Sequence, residues 1–303
     1  RVRCVDIDEE KVERLTAGQV PFHEPGLEAL VRRSLAERRL SFTCRMDLGT
    51  AGAEMIFVTV GTPPRQDGSP DLGALRSALG QLAQVLQSPA TVVIKSTVPV
   101  GTSEWAEQLL NTHDGGRNHS VLFNPEFLRE GSAVQDFLEP DRIIIGEGVP
   151  GASAPLKRLY QSFPAPCIVT DRRTAELIKY ASNAFLATRI SFINELAGLC
   201  EHFGVDVSEL SRCMGLDKRI GSGFLQAGIG YGGSCFPKDV AALLWMYEQA
   251  GQRAPLIEAV QNVNLHQRER AMAKLAGALS HLSGARIAVL GITFKPHTDD
   301  VRG

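Results

Sequence analysis

The chain has 303 residues, 44% of them hydrophobic and 22% charged, with a formal net charge of -2. This length supports large cores in two or more domains. Near-neutral charge with no long basic run excludes nucleic acid as the main partner, because backbone binding needs clustered Lys and Arg. No stretch reaches the roughly 18 to 20 uninterrupted apolar residues of a membrane span, and the first residues lack the form of a signal peptide, so a cytoplasmic protein with no membrane partner is expected.

In chain order, Arg1-Val2-Arg3-Cys4-Val5-Asp6 reads as a strand ending in an acidic residue ahead of a helix over about 9–17. Apolar runs over 55–60, 91–96, 120–124, 142–146 and 167–170 read as buried strands, with helical patterns at 25–38, 72–86 and 102–111. Such alternation marks a parallel sheet covered by helices on both faces. Residues 111–120 are expected to be a mobile loop. From about Thr174, helical periodicity takes over through Ala175, Ile178, Ala181, Phe185, Phe192, Leu196 and Leu199, predicting an all-helical second domain. It includes a long amphipathic helix over 255–282 with Ile257, Val260, Val263, Met272 and Leu275 as its apolar stripe. That stripe exceeds what one small domain covers, which predicts a homodimer or higher homo-oligomer. Gly284 to Gly291 reads as a first strand opening another α/β domain.

The six cysteines, Cys4, Cys44, Cys167, Cys200, Cys213 and Cys235, form no C-x-x-C pair and have no His at zinc-ligand spacing, so neither disulfides nor a metal is expected. Five lie in apolar or helical contexts, where a free cysteine behaves as a small buried hydrophobe. Cys235 lies in Gly232-Gly233-Ser234-Cys235-Phe236-Pro237-Lys238-Asp239. Glycines leave it accessible, and a nearby lysine favours the thiolate that acts as a nucleophile; a buried cysteine after a glycine turn is the plainer alternative.

Asp6 ends what would be the second strand of a doubly wound sheet, where an acidic residue binds adenosine ribose hydroxyls and disfavours the extra phosphate of NADP; a turn or cap residue is the alternative. The Gly-rich turn expected about twenty residues earlier lies before the first residue of this sequence. Gly228-Ile229-Gly230-Tyr231-Gly232-Gly233 fits G-x-G-x-x-G, but no strand leads into it and no acidic partner follows, so its glycines read as a tight turn or a close backbone approach. Lys179 and Asn183, four residues apart on an apolar helix, share a face. They suit an oxyanion, by charge and by amide donor, or form a solvated face. Asn124 to Glu130 follows a strand end, where α/β ligands sit, and its carboxylates suit acid–base work and cofactor contact or an ordinary surface.

Together with Glu24-Pro25-Gly26-Leu27, Val60 to Pro64, Lys95 to Thr102, Pro140-Asp141-Arg142, Asp217 to Gly221, Phe294-Lys295-Pro296 and Asp299 to Arg302, these runs resemble the UDP-glucose/GDP-mannose dehydrogenase family, in order and over nearly the whole chain. Gly230 to Asp239 is most similar to the members that act on UDP-glucose. The resemblance implies a Rossmann-like NAD-binding domain over 1–171 without its first strand and Gly-rich turn, a helical dimerisation and catalytic domain over 172–283, and the start of a nucleotide-sugar-binding domain over 284–303. It implies Cys235 as nucleophile, Lys179 and Asn183 holding the substrate oxygen, Asp239 positioning water or assisting proton transfer, Glu126 assisting thioester hydrolysis, and Thr97 at the catalytic centre. NAD contacts would come from Asp6, Lys11, Thr62, Thr97, Glu130, Lys238 and Arg302. The nucleotide sugar would be met by Glu126, Phe127, Leu128, Lys179, Asn183, Arg219 from a neighbouring subunit, Phe224, Leu225, Gln226, Ala227, Gly228, Gly232 and Lys295. The expected reaction is four-electron oxidation of UDP-glucose; GDP-mannose or another nucleotide sugar, and a non-catalytic binding fragment, are the alternatives.

Overall fold

Runs of Val, Ile and Phe build the sheets, because β-branched and aromatic side chains suit a pleated surface buried on both faces. The computed structural model describes residues 1–113, 118–279 and 281–302. Residues 114–117 of the loop expected to be mobile lie outside these. The chain forms two units: Arg1–Pro63, Pro70–Lys179 and Lys295–Asp299 in one, and Pro64–Ser69, Tyr180–Phe294 and the residues from Asp300 onward in the other.

In the first unit, β1 (Val2–Val5) pairs in parallel with β2 (Leu40–Thr43). A separate ladder runs β3 (Met55–Val58), β4 (Thr91–Ile94), β5 (Ser120–Phe123), β6 (Ile143–Glu147), β7 (Cys167–Asp171). Every pairing in it is parallel except β5–β6, where Phe123 faces Gly146 in antiparallel sense. The helices are α1 (Glu9–Thr16), α2 (Leu27–Ala36), α3 (Met46–Thr50), α4 (Gly73–Val85), α5 (Thr102–His113), α6 (Ala133–Leu138) and α7 (Ala154–Tyr160). Side chains alternate across a strand. Val92, Ile94, Val121, Phe123 and Ile144 therefore pack with Leu75, Leu79, Leu82 and Leu110 of α4 and α5. Val93, Leu122, Ile143 and Ile145 face the other way and pack with Leu156 and Tyr160 of α7. This is the expected Rossmann-like α/β architecture, with both faces covered.

The second unit is helical: α8 (Arg172–Phe203), whose first turns belong to the first unit, then α9 (Val207–Gly215), α10 (Phe236–Gln249) and α11 (Pro255–Ala278). Tyr180 and Ala184 of α8 pack on Ala242 and Leu243 of α10. Ala187, Val240 and Val260 enclose Tyr231. Of the stripe expected on α11, Val260 is buried, but Met272 is exposed. Among the described residues no helix is long and apolar enough to cross a membrane.

Two expectations need correction. Gly284 to Gly291 forms no strand; it runs as coil with Val289 and Leu290 exposed, because a strand needs a ladder partner and none is present among the described residues. The five cysteines other than Cys235 are not uniformly buried either: Cys200 is, Cys4, Cys44 and Cys167 are half-buried, and Cys213 is exposed, because α9 buries none of its residues.

Leu122 sits in the middle of β5 on the α7 face, fully enclosed. Leu122→Ala is expected to destabilise the first unit by about 2–5 kcal/mol, as truncation of a close-packed leucine does. Urea denaturation checks this, and a cost below about 1 kcal/mol would mean that the face is loosely packed.

Candidate active site

The first unit places Asp6, Lys11, Thr62, Thr97, Glu126, Phe127, Leu128, Glu130, Lys179 and Lys295; the second places Asn183, Arg219, Phe224 to Gly228, Gly232, Cys235, Lys238, Asp239 and Arg302.

Asp6 follows the last residue of β1, and its Oδ2 lies 2.5 Å from the Lys11 ammonium, while Oδ1 accepts from the Asp8 N–H at 3.2 Å. Burial works to raise the Asp6 pKa, yet the Lys11 hydrogen bond and charge and the backbone N–H groups hold it below the usual carboxylate range. An ionised acid at a strand end suits a pair of ribose hydroxyls. Thr62 and Thr97 are both buried and joined, the Thr62 hydroxyl donating to the Thr97 carbonyl at 2.8 Å. Glu130 accepts from Thr298 at 3.4 Å. The Asp6–Lys11 and Thr62–Thr97 pairs are thus formed among the residues expected to hold NAD.

Lys179 is 3% exposed and does not lie on a solvated helix face. Its ammonium donates to Glu126 Oε1 at 2.8 Å and to the Glu126 carbonyl at 2.7 Å, and lies 5.5 Å from the centre of the Phe127 ring. The Arg142 guanidinium lies 4.1 Å from the same ring centre. The Leu128 N–H donates to Glu126 Oε2 at 2.7 Å. Burial alone would push the Glu126 carboxyl up; the Lys179 charge and hydrogen bond, the Leu128 N–H and the Lys95 charge together bring it below its ordinary value.

Two groups here escaped the sequence reading. Lys95, just past β4, donates to Asn124 Oδ1 at 3.1 Å, and burial lowers its pKa to about 8, with Glu126 opposing and Lys179 reinforcing the shift. Glu176, 0% exposed, accepts from the Gly101 N–H at 2.6 Å, the Ser103 N–H at 2.8 Å and the Ser103 hydroxyl at 2.6 Å. Burial nonetheless raises its pKa, against the pull of those donors. It caps the first turn of α5 from a position one turn before Lys179 on α8. A carboxylate at i-3 from a lysine on an apolar helix is the signal that would have found it.

In the second unit, Cys235 occupies the cap position of α10, where the free N–H groups of a first helical turn favour negative charge. Ser234 Oγ is 3.6 Å from its sulfur. Asp239, one turn along α10, is 1% exposed. Its Oδ2 accepts from Asn183 Nδ2 and its Oδ1 from Lys238 Nζ, each at 2.5 Å. Lys179 and Asn183 do stand one turn apart on α8, as the spacing predicts, but each donor is directed at a carboxylate. Phe224 has φ +61°, a strained conformation for an aromatic residue, and its ring centre lies 6.0 Å from that of Phe236. Arg219 is exposed and paired with Asp217. Arg302 forks onto Asp300 at 2.9 Å, and its carbonyl accepts from the Gly233 N–H at 2.7 Å.

Loss of the lysine should uncover the burial cost of Glu126. A carboxyl with a depressed folded-state pKa gives stability above its unfolded value, lost as pH falls; one with a raised pKa destabilises as pH rises. The penalty of Lys179→Met relative to the wild type is therefore expected to grow between pH 4.5 and 7, as read by thermal melts. A pH-independent penalty would show that Lys179 is not what keeps Glu126 ionised.

Residues 1–164 match the NAD binding domain of the UDP-glucose/GDP-mannose dehydrogenase family, and residues 173–266 match its central domain. A UDP-glucose 6-dehydrogenase of Pseudomonas aeruginosa is 46% identical over all of this chain, which spans 68% of that protein. The solved UDP-glucose dehydrogenase of Pyrobaculum islandicum superposes with a TM-score of 0.97 at 44% identity, over 100% of this chain and 71% of that one. GDP-mannose dehydrogenase of Pseudomonas aeruginosa gives a TM-score of 0.71 at 31% identity, over 99% of this chain and 70% of that one. With both of the family's matched domains in order, the chain belongs to the UDP-glucose/GDP-mannose dehydrogenase family.

Proposed function

We propose that the protein, with the remaining third of the length its relatives have, oxidises the C6 alcohol of UDP-glucose to a carboxylate with two NAD and one water, through a thioester on Cys235. The observation that carries this reading is Cys235 at the open start of α10, one turn from a buried aspartate held by Asn183 and Lys238. Asp6, Lys11, Thr62, Thr97 and Glu130 of the domain over 1–171, with Lys238 and Arg302, would hold NAD, which when bound supplies the hydride acceptor for each oxidation. Asp239, through a water, receives the alcohol proton as the first hydride leaves. The Cys235 thiolate then adds to the aldehyde carbon, and Lys179 and Asn183 hold the oxygen as it takes up charge. Capture on sulfur keeps a reactive aldehyde from escaping. Loss of the second hydride from the same carbon gives the thioester, and Glu126 draws a proton from the water that cleaves it. The sum is an alcohol, water and two NAD giving a carboxylate, two NADH and three protons.

The relatives named for UDP-glucose are more alike in sequence than the one named for GDP-mannose, which favours UDP-glucose. Assembly is proposed through α8, whose exposed Phe185, Phe192 and Leu199 recur every seventh residue and form an apolar seam suited to a second copy. A cytoplasmic site of action fits the nucleotide-sugar substrate and NAD.

UDP-glucose is expected to yield two NADH per sugar, with NADP a poor substitute because of the charge at Asp6; one NADH with free aldehyde accumulating would sink the four-electron route. Cys235→Ala should bind UDP-glucose as the wild type does and form no carboxylate, whereas normal acid production would remove the cysteine from the chemistry. Because Cys213 is exposed, iodoacetamide is expected to label both thiols, with UDP-glucose protecting only Cys235.

A further inference from the structure

The backbone ahead of Cys235 is held by side chains rather than by secondary structure. Asn264 of α11, 5% exposed, has its amide set against Tyr231 as a strand partner would be: the Tyr231 N–H donates to Oδ1 at 2.7 Å and Nδ2 donates to the Tyr231 carbonyl at 3.0 Å. Three residues earlier, Asn194 of α8 accepts from the Gly228 N–H at 2.8 Å, and Gln267 of α11 donates to the Gly228 carbonyl at 2.7 Å. Gly230, between the two clamps, has φ +108°, and a Cβ there would stand 2.5 Å from Asn264 Oδ1, so the amide fits only against glycine. The clamped Tyr231 ring packs edge-on against Phe236, centroids 6.0 Å apart, in the first turn of the helix that Cys235 caps.

We propose that Asn264, with Asn194 and Gln267, is a positioning residue that fixes the 228–231 backbone so that the segment reaching Gly232 and Cys235 meets the nucleotide sugar in one preset conformation. The proposal rests on the reading of 224–228, Gly232 and Cys235 as the substrate side of the site. Its physical basis is the double hydrogen bond, which needs one acceptor and one donor on the same side chain. An amide, or a protonated carboxyl, supplies both on two neighbouring atoms of one planar group, spaced to meet the N–H and C=O of a single residue. An ionised carboxylate would keep the bond from the Tyr231 N–H but set a bare oxygen against the Tyr231 carbonyl.

That difference supplies the test. For Asn264→Asp and Asn264→Ala, KM for UDP-glucose and for NAD is measured from pH 6 to 8.5 in the full-length enzyme and divided by the wild-type value at the same pH. Titrating groups that the substitution leaves unchanged cancel in that ratio. The Tyr231 hydroxyl, pushed up to about 12 by burial against the opposing pull of Arg268, stays protonated throughout. At pH 8.5 both variants are expected to raise KM for UDP-glucose about tenfold, equivalent to roughly 1.4 kcal/mol of binding, and to leave KM for NAD within about twofold. Towards pH 6 the Asn264→Asp ratio should fall back several-fold while the Asn264→Ala ratio stays flat. Equal rises in both KM values, or Asp and Ala variants that track each other at every pH, would overturn the proposal. Should neither variant fold, Gln267→Leu, which removes the bond to the Gly228 carbonyl and the one Gln267 Oε1 accepts from Arg270 at 3.1 Å, should raise KM for UDP-glucose about threefold and not that for NAD; no change would overturn it.

Cys235 labelling by iodoacetamide, resolved from Cys213 by peptide mass spectrometry, reads the same loop without turnover. If the wild type failed to oxidise UDP-glucose, the functional reading would fall while this readout still tested the clamp: faster labelling in Asn264→Asp at pH 8.5, returning towards the wild-type rate at pH 6, supports it, and a ratio of one at both pH values overturns it.

Discussion

A carboxylate taken out of water must be met by donors or cations, and in this protein that requirement governs three acids on which the site depends. Glu176 and Asp239 leave solvent and Glu126 is half-buried, and each is matched by donors: Lys179 of α8 and the Leu128 N–H for Glu126, the first turn of α5 for Glu176, and Asn183 of α8 with Lys238 for Asp239. An unmatched buried carboxylate costs several kcal/mol or takes up a proton. The pairings therefore hold the first turns of α8 against the loops of the first unit, and its Asn183 against α10 within the second. The residues that would do chemistry are those whose charges the fold must neutralise in order to bury them.

This coupling explains why the donors are not idle in the structure described. In the proposed mechanism Lys179 and Asn183 would exchange a carboxylate partner for a substrate oxygen, or share themselves between the two, and a lysine with three N–H donors can do so without losing Glu126. Asn183 has two amide hydrogens, of which one is directed at Asp239. The arrangement is preorganised: the donors are held before any charge develops, so little reorganisation accompanies its development. Lys95, half-buried, adds a second cation whose charge also lowers the Glu126 pKa, while burial lowers its own pKa to about 8.

Much of the fold was legible in the sequence because its signals were strong. The runs Thr91 to Ile94, Ser120 to Phe123 and Ile143 to Gly146 are apolar on both faces, which only a covered sheet tolerates. β2 escaped because Leu40-Ser41-Phe42-Thr43 mixes polar and apolar residues over four positions, and α3, α6 and α7 are too short for helical periodicity to show. Gly284 to Gly291 carries a strand's composition without a ladder partner among the described residues, and composition alone does not supply the ladder. In the site, the Lys179/Asn183 spacing was readable because a helix has a fixed period. The carboxylates that receive those donors lie 53 and 56 residues away in sequence, and only the fold reveals the pairings. Asn264 was open to discovery: it takes a buried place four residues after the buried Val260 on α11, where an amide has a reason to be only if polar groups meet it.

If oxidation passes through a covalent bond to Cys235, as proposed, that bond can be trapped on the enzyme. In full-length Glu126→Gln, water attack on the thioester is slowed while the steps before it retain their groups. After mixing with UDP-glucose and NAD and quenching in acid, mass spectrometry of the Cys235 peptide should show the nucleotide sugar bound through sulfur as a thioester, dependent on NAD and released by hydroxylamine. An unmodified Cys235 peptide while UDP-glucuronate forms at an undiminished rate, or an adduct on any other residue, would contradict the account.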